Sequence, residues 1–218
     1  MEWKQSKERL QVWEIAKSNL RHNAVLPVLV AAAILVMTPV LFGTANLSQQ
    51  EAAVPMEMFV SLIGIVLLTP VFQPEENRET GDLVASKYTG TSVVYCIRAV
   101  TALLLVIALV TLAGIFIRMR GSDLTAWIVI GTAADAVFLG ALGMLTAALT
   151  DNTVIAYMIP LFYYMLNYGA GGKLGNFYLF SMISMNVPAF RPKLWLLAAG
   201  AICMAGAVWI KRGKERMR

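Results

Sequence analysis

Six stretches of predominantly apolar residues, separated by short polar segments, dominate this 218-residue chain. They comprise residues 24–43, 56–72, 93–117, 124–149, 154–168 and 194–210. Each meets or approaches the roughly 20 apolar residues that a helix needs to cross a hydrocarbon core of about 30 Å. A spanning segment must satisfy its own backbone hydrogen bonds, and the alternation typical of β-barrel strands is missing from the sequence. The pattern therefore predicts an all-α membrane protein with six transmembrane helices.

The composition excludes an ordinary water-soluble domain. Hydrophobic residues make up 58% of the chain and charged residues 14%, against about 45–50% and about 25% in a typical soluble domain. A soluble domain of this size could not cover so much apolar surface with polar side chains. We expect a multi-pass protein of the cell (plasma) membrane.

The basic residues predict the orientation of the six spans. Placing both termini in the cytoplasm puts 13 of the 18 lysines and arginines on the inner side. The remaining five are Arg118, Arg120, Lys173, Arg191 and Lys193. This excess follows the rule that loops on the cytoplasmic side carry more positive charge. Residues 24–210 then form the transmembrane domain, and residues 211–218 form a basic cytoplasmic tail.

Three segments are predicted not to span. Residues 1–23 place Trp3 and Trp13 on one broad apolar face, which favours an amphipathic helix on the inner membrane surface over a frayed basic tail. Residues 73–92 form a cytoplasmic loop between spans two and three. Residues 169–192 lie outside, and their apolar part is too short to span, which predicts a re-entrant or interfacial helix pair. The glycines at 169, 171, 172 and 175 would permit the turn into it.

The sequence lacks the common motifs of enzymatic chemistry. His22 is the only histidine, so a zinc-protease motif with two histidines cannot exist. The glycine-rich run 169–174 lacks both the first glycine and the Ser/Thr of a phosphate-binding loop. The pair Glu75-Glu76 lacks an arginine at the spacing of intramembrane proteases. We therefore expect no catalytic residue, no metal site and no cofactor bound by this chain, and no nucleic-acid partner.

One charged residue lies deep within a predicted span. Asp135 stands near the middle of the fourth segment, where burying an ionised carboxylate costs at least about 2.5–3.5 kcal/mol. It either belongs to a substrate or proton path, or clamps the fourth helix to a neighbour through Thr38, Tyr157 or Asn167. The sequence offers no second intramembrane charge for a relay, which slightly favours the clamp.

Small residues recur at four-residue or similar spacings next to this aspartate. In the fourth segment they are Ala136, Gly140, Gly143 and Ala147. Such stripes let membrane helices approach closely, either within one subunit or across a dimer. Close packing within one bundle is the simpler interpretation.

The polar stretch that follows the second span carries the most information. Pro74 suits the first turn of a helix, and Glu75, Glu76 and Glu79 suit its positive end. This predicts a short acidic helix where span two leaves the membrane. The alternative is a solvated loop whose charges merely keep it inside.

This stretch resembles the permease subunits of ATP-binding-cassette (ABC) exporters of the second type. In that family the second span ends near Pro-x-Phe, and a Glu-containing segment and a Leu-x-x-Ser-Lys/Arg-like stretch precede the third. The matching residues are Pro70, Phe72, Glu75, Glu79, Gly81, Leu83, Ser86 and Lys87. The surface helix, the six spans, the outer re-entrant segment and the sequence of residues 142–152 also fit, so the likeness covers nearly the whole chain.

The resemblance implies a division of labour between chains. This chain would be one of two membrane halves, its partner identical or homologous, and would dock separate cytoplasmic ATP-binding subunits that hold ATP and Mg²⁺. Docking would use both the surface helix at residues 1–23 and the loop helix after span two. The docking surface would be formed by Glu75, Glu76, Glu79, Asp82, Lys87 and Tyr88. Residues expected to line the translocation path are Phe59, Asp135, Tyr163, Tyr164 and Asn167. The chain itself would not be an enzyme.

The leading hypothesis is therefore the membrane subunit of an ABC exporter that moves an amphipathic substrate such as a peptide, a lipid or a drug. The alternative is a self-contained membrane protein, either a secondary transporter that uses Asp135 or an accessory subunit. The absence of a phosphate-binding loop is compatible with both.

Overall fold

The computed structural model describes residues 17, 23–75, 91–184 and 190–216, and the regular secondary structure of these ranges is helical. The α-helices are α1 (Val25–Phe42), α2 (Gln49–Met58), α3 (Ile63–Leu68), α4 (Thr91–Met119), α5 (Ala126–Thr150), α6 (Thr153–Ala170) and α7 (Phe190–Arg216). Short 3₁₀ helices occupy Val60–Leu62, Thr69–Glu75 and Gly175–Phe177. All-helical architecture, as predicted, is confirmed for the described residues.

Five helical stretches of the described chain are long and apolar enough to cross a membrane. They are Val25–Phe42, Gln49–Gln73, Val93–Met119, Ala126–Thr150 and Arg191–Lys214. The predicted fifth span corresponds to α6, which has 18 residues but is not among these five. The second and sixth spans were predicted to be too short. The stretches that correspond to them, Gln49–Gln73 and Arg191–Lys214, have 25 and 24 residues.

The longer second span starts with a capping box. The backbone N–H and hydroxyl of Ser48 donate to Oε2 of Glu51 at 2.9 and 2.7 Å. In a capping box the Glu51 carboxylate accepts the N–H of the capping residue Ser48, and the Ser48 side chain faces the N–H of Glu51, which satisfies donors that a helix start leaves open. The helix therefore begins at Gln49, in a polar sequence that the hydrophobic pattern assigned to a loop. Helix α2, a 3₁₀ turn, α3 and the start of the 3₁₀ helix Thr69–Glu75 follow one another. The whole stretch Gln49–Gln73 forms a single crossing element, called α2–α3 below.

The core of the bundle is built around α5. Helix α5 packs against α3, α6 and α7. In the most apolar parts of Ala126–Thr150 and Gln49–Gln73, 72% of the residues are buried. In the most apolar part of Val25–Phe42, only 11% are buried. Helices α5 and α2–α3 thus form the interior, whereas α1 presents most of its apolar surface outward, where lipid would cover it.

One end of the bundle is closed by two turns that bind each other. The hydroxyl of Ser122 donates to the carbonyl of Thr44 at 2.8 Å and accepts the N–H of Leu47 at 3.1 Å. The N–H of Asp123 donates to the carbonyl of Leu47 at 2.9 Å. The turn between α1 and α2 is thereby fixed to the turn between α4 and α5. This is called the Ser122 end.

The opposite end is closed by ion pairs between α7 and the turn that joins α5 to α6. Lys211 and Lys214 lie 2.9 and 2.7 Å from the two carboxylate oxygens of Asp151, and Lys214 also donates to the carbonyl of Leu149. Asn152 caps α6 by accepting two backbone N–H groups with its side chain. This is called the Asp151 end.

Two predicted segments fall largely outside the described residues. The expected interfacial helix at 1–23 is described only at residues 17 and 23, and the loop is not described at 76–90. In the segment predicted to lie outside, residues 171–184 form turns and one 3₁₀ helix, which does not confirm a re-entrant helix pair. Positive φ at Gly171, Gly172 and Gly175 agrees with the predicted role of these glycines in the turn.

Candidate functional site

Three ionisable side chains meet in the interior of the bundle. Nζ of Lys193 in α7 lies 2.5 Å from Oε1 of Glu57 in α2 and 2.5 Å from Oδ2 of Asp135 in α5. The exposed fraction of each side chain is 1% or less. These three residues are called the charged triad. Because each comes from a different helix, the triad joins α2, α5 and α7 at a single point.

The triad also binds a stretch of non-helical backbone. Residues 178–183, called the strap, run through the interior between α6 and α7. Both carboxylate oxygens of Glu57 accept strap N–H groups, from Met182 at 3.1 Å and from Ile183 at 3.0 Å. The ammonium of Lys193 donates to the carbonyl of Leu179. The charged side chains thus replace the backbone partners that a helix would have supplied.

The charge of the triad is unevenly compensated. Two carboxylates face one ammonium, and Oδ1 of Asp135 has no hydrogen-bond partner among the described residues. Buried charges are tolerated only when paired and hydrogen-bonded, so Lys193 is the group on which both acids depend.

The expected partners of Asp135 were wrong. Thr38 donates to the carbonyl of Ile34 in its own helix, and Tyr157 donates to the carbonyl of Val66. The expectation that no second intramembrane charge exists was also wrong, because Lys193 and Glu57 both approach Asp135. The structure supports the clamp interpretation in a different form, with a lysine as the link.

Three of the residues predicted to line the path fix the strap and its surroundings. The side chain of Asn167 accepts the N–H of Leu179 at 2.9 Å. Tyr163 and Tyr164 donate their hydroxyls at 2.6 Å to the carbonyls of Phe177 and Met58, respectively. Helix α6 therefore binds the strap through Asn167 and the residue before the strap, Phe177, through Tyr163.

Phe59 lies apart from this group. Its ring contacts that of Phe42 at the end of α1, with a centroid distance of 5.9 Å. The structure thus brings Tyr163, Tyr164 and Asn167 together around the strap but leaves Phe59 at the contact between α1 and α2.

The crossing between α2–α3 and α5 is unusually close, and glycines permit it. A methyl group on Gly64 would lie 1.8 Å from the carbonyl oxygen of Ala136, and one on Gly143 would lie 2.1 Å from Oγ1 of Thr69. A methyl on Gly140 would lie 2.4 Å from the carbonyl oxygen of Gly64. These three glycines are called the glycine seam. Close packing within one bundle, the simpler interpretation of the small-residue stripe, is confirmed for this helix pair.

A cavity of about 550 Å³ opens between α1, α2–α3 and α6. Its polar lining consists of Asn23, Gln73 and Tyr157, and its apolar lining of Leu26, Pro27, Val30, Val66 and Pro70. Asn23 precedes α1, and Gln73 stands where α2–α3 ends, so the cavity lies toward the Asp151 end. Its mixed lining suits a molecule with an apolar body and a polar part.

The end of the second span is fixed at the Asp151 end of the bundle. Phe72 is buried and stacks edge-on against Tyr95 of α4, with a centroid distance of 5.3 Å. Nζ of Lys211 lies 5.8 Å from the centroid of the Phe72 ring. The backbone then leaves as a 3₁₀ helix that ends at Glu75.

The predicted docking residues come next in the chain, and most of them lie outside the residues that the structure describes. The side chain of Glu75, and residues Glu76, Glu79, Asp82, Lys87 and Tyr88, lie outside the described part of the structure. The predicted docking surface therefore stays a prediction. The described residues fix only the point at which this loop leaves the bundle.

Within the described ranges, no group of three or more His, Cys, Asp and Glu side chains could hold a metal ion. The triad contains a lysine between two acids, which suits charge pairing better than metal coordination. Its geometry can hold a backbone segment and can respond to a shift between helices.

Sequence reasoning missed Glu57 and Lys193. Glu57 stands between Met56 and Met58 at the start of the predicted second span, and Lys193 directly precedes the predicted sixth span, where it was counted as an outer surface charge. Opposite charges at the edges of apolar segments, together with Asp135 inside another, were the available signal. Such charges usually face the bundle interior and pair with one another.

Comparison of the chain with protein-family models, curated proteins and solved structures finds no match.

Proposed function

We propose that this chain is the transmembrane subunit of an ATP-driven ABC exporter of the second type, and that it forms the translocation path for an amphipathic substrate. The observation that carries the proposal is the segment that follows Phe72. Its sequence resembles the coupling segment of that family, and it leaves the bundle from a fixed point beside Lys211 at the end of α7. Positive charge is concentrated at that end of α7, which supports a cytoplasmic position for it.

The proposed topology has six spans, with α6 as the fifth, and both termini in the cytoplasm of a cell-membrane protein. The two turns at the Ser122 end and the ion pairs at the Asp151 end support alternating crossings, because successive helix connections lie at opposite ends. The Ser122 end would then face outward. The short acidic helix after span two would lie in the cytoplasm, beside the interfacial helix at residues 1–23.

The proposed mechanism places ATP and Mg²⁺ in separate cytoplasmic subunits. Closure of these subunits would push on the loop helix, through Glu75, Glu76, Glu79, Asp82, Lys87 and Tyr88. Helix α2–α3 is continuous from this loop to the triad and touches α5 at the glycine seam. A push on the loop would therefore slide α2–α3 along α5 as a unit, because the three glycines leave no side chains of their own in the crossing to block the movement.

The cavity between α1, α2–α3 and α6 is the proposed point of substrate access. Its opening toward the Asp151 end fits uptake from the cytoplasmic side, and its mixed lining fits a peptide, a lipid or a drug. Asp135, Tyr163, Tyr164 and Asn167 would stand along the outer part of the path, and Phe59 near its α1 side. A second subunit, identical or homologous, would complete the path.

A second candidate function is supported by the charged triad. Buried ionisable groups that touch several helices are found in transporters that use ion gradients, so a secondary transporter or an accessory subunit using Asp135 is the alternative. The two candidates differ in their energy source. Replacement of Asp135 by Asn should abolish transport without any ATPase in the alternative, whereas the exporter needs ATP hydrolysis by a partner.

The proposed function is tested by affinity purification of the chain together with the ATPase encoded by a neighbouring reading frame. We expect the two to co-purify, and we expect the charge reversals Glu75→Lys and Glu79→Lys to weaken co-purification. Lys173→Glu, at an exposed position near the Ser122 end, is the matched control and should have no effect. Recovery of an active transporter without any ATPase would refute the exporter proposal.

A further inference from the structure

The strap is irregular backbone in the interior of a helical bundle. Leu179, Phe180, Ser181 and Met182 are all buried, with exposed fractions between 1% and 9%. Non-helical backbone at membrane depth is tolerated only where protein or a water-filled cavity satisfies its polar groups. The strap therefore lies in the interior of the bundle, where it contacts α2–α3, α6 and α7.

Side chains from three directions hold the strap at its backbone. Glu57 accepts the N–H groups of Met182 and Ile183, and Lys193 donates to the carbonyl of Leu179. Asn167 accepts the N–H of Leu179, while Gln50 donates to the carbonyl of Ile183 at 2.9 Å. Most of these bonds come from α2 and α7, the helices that the triad joins.

The strap and the loop after span two are connected through one helical element. Glu57 and Gln73 both belong to Gln49–Gln73, about 25 Å apart at helical rise. A displacement of α2–α3 along α5 changes the position of Glu57 relative to Lys193 and Asp135. Because Lys193 is the only counter-charge that the triad offers Glu57, a partial separation leaves the Glu57 carboxylate buried without a counter-charge. Intermediate positions are therefore unfavourable, and the triad favours two discrete arrangements.

We propose that the strap is the outer gate of the transport path, held shut by the charged triad and released when α2–α3 moves Glu57 away from Lys193. The role in transport rests on the proposed function. The closure itself does not, since it depends only on contacts within this chain. In the resting protein the strap blocks exit toward the Ser122 end, and its release opens that exit.

The test uses cysteine labelling in the full-length chain. Both native cysteines, Cys96 and Cys203, are free and are first replaced by Ala. Ser181→Cys then reports on the strap, and Lys173→Cys is the matched exposed control. A membrane-impermeant maleimide is applied to intact cells, which expose the outer face, and to inside-out vesicles, which expose the cytoplasmic face, so that the reaction of Lys173→Cys shows on which face the Ser122 end lies.

With the triad intact, Ser181→Cys should react far more slowly than Lys173→Cys. Addition of Lys193→Met should raise its labelling rate by about tenfold or more, because local opening no longer breaks the bonds of the triad. The triple variant Glu57→Gln/Asp135→Asn/Lys193→Met should return most of the protection, since it leaves no unpaired charge. If Lys193→Met does not fold, Glu57→Gln is the second variant, and it should raise labelling in the same direction.

Three results would overturn the gate. The first is that Ser181→Cys reacts as fast as Lys173→Cys when the triad is intact. The second is that Lys193→Met, or Glu57→Gln in its place, folds but leaves the labelling rate unchanged, and the third is that the single and triple variants are labelled at equal rates. In membranes that also contain the partner ATPase, ATP should increase labelling of the chain with an intact triad. No increase, while ATP hydrolysis still responds to substrate, would refute the gate and leave the exporter proposal standing.

Discussion

The ammonium of Lys193 lies 2.5 Å from Oδ2 of Asp135, although 58 positions separate the two residues in the chain. The same ammonium contacts Glu57 at 2.5 Å. One lysine at the start of α7 therefore compensates two acids in the interior, and it also binds the strap. The three side chains are therefore not equivalent. Loss of the lysine removes the counter-charge of both acids, whereas loss of one acid leaves the other acid paired with the lysine.

The first prediction concerns this inequality. Lys193→Met leaves two buried carboxylates without a counter-charge and should lower the free energy of unfolding by about 3–5 kcal/mol. Asp135→Asn leaves the Lys193–Glu57 pair intact and should cost about 1 kcal/mol. Thermal unfolding of purified protein in detergent compares the two, with Lys173→Met as an exposed control. Equal losses for the two variants would contradict the central position of Lys193.

The second prediction concerns the glycine seam. A Cβ at position 64 would lie 1.8 Å from the carbonyl oxygen of Ala136, so Gly64→Ala must force α3 and α5 apart. We expect a loss of about 1–3 kcal/mol or more in unfolding free energy. Gly213→Ala is the matched control within a helix, because no neighbouring atom lies within 4 Å of the place that its methyl group would occupy, and it should be neutral or slightly stabilising. Unchanged stability of Gly64→Ala would show that the helices are not in close contact there.

The third prediction is a pH dependence at the Asp151 end. Partial burial raises the pKa of Asp151, but hydrogen bonds from Lys214 and Lys211 outweigh this effect and hold the pKa below its ordinary value. The stabilisation is therefore fully present above the ordinary value of about 3.9 and is lost as the pH falls through the lowered folded-state pKa. Its size should lie within about 1 kcal/mol, as for other partly exposed ion pairs.

Asp151→Asn tests this dependence. The variant should unfold at a lower temperature than the unaltered chain at neutral pH, and the difference should shrink as the pH falls below about 3.9. Asp123→Asn, at an exposed position, should show little change at either pH. A difference that grows at low pH would mean that the ion pairs do not stabilise the fold.

The fourth prediction concerns the cavity that we propose as the point of substrate access. Val30→Trp would fill part of the space between α1, α2–α3 and α6 and should reduce export severalfold with little change in stability. Val36→Trp lies on the same helix at an exposed apolar position and is the matched control. Transport assays in vesicles compare them, and equal export by both variants would place the path elsewhere.

The hydrophobic pattern predicted the helices well wherever lipid or core contacts determine their extent. The first segment, predicted at 24–43, corresponds to Val25–Phe42, and the third, at 93–117, corresponds to Val93–Met119. The second helix was predicted to begin too late, because the capping box at Ser48 and Glu51 stabilises a polar first turn. A hydropathy pattern contains no term for such local hydrogen bonds.

The triad could not be predicted from one apolar segment at a time. Glu57 is compatible with membrane depth because Met182, Ile183 and Lys193 satisfy its carboxylate, and these partners come from distant parts of the chain. The strap is likewise held in the interior by side chains of other helices. Its own sequence, an apolar stretch too short to span, predicted a helix pair instead. Local patterns do not show which charges at the ends of distant apolar segments pair with one another.

The most direct test of the exporter assignment is ATP hydrolysis by the partner ATPase in proteoliposomes with and without this chain. We expect the chain to make hydrolysis respond to an amphipathic substrate, and Glu79→Lys to abolish that response while Lys173→Glu preserves it. Hydrolysis that is the same with and without the chain, or a response that survives Glu79→Lys together with Glu75→Lys, would contradict the proposed coupling.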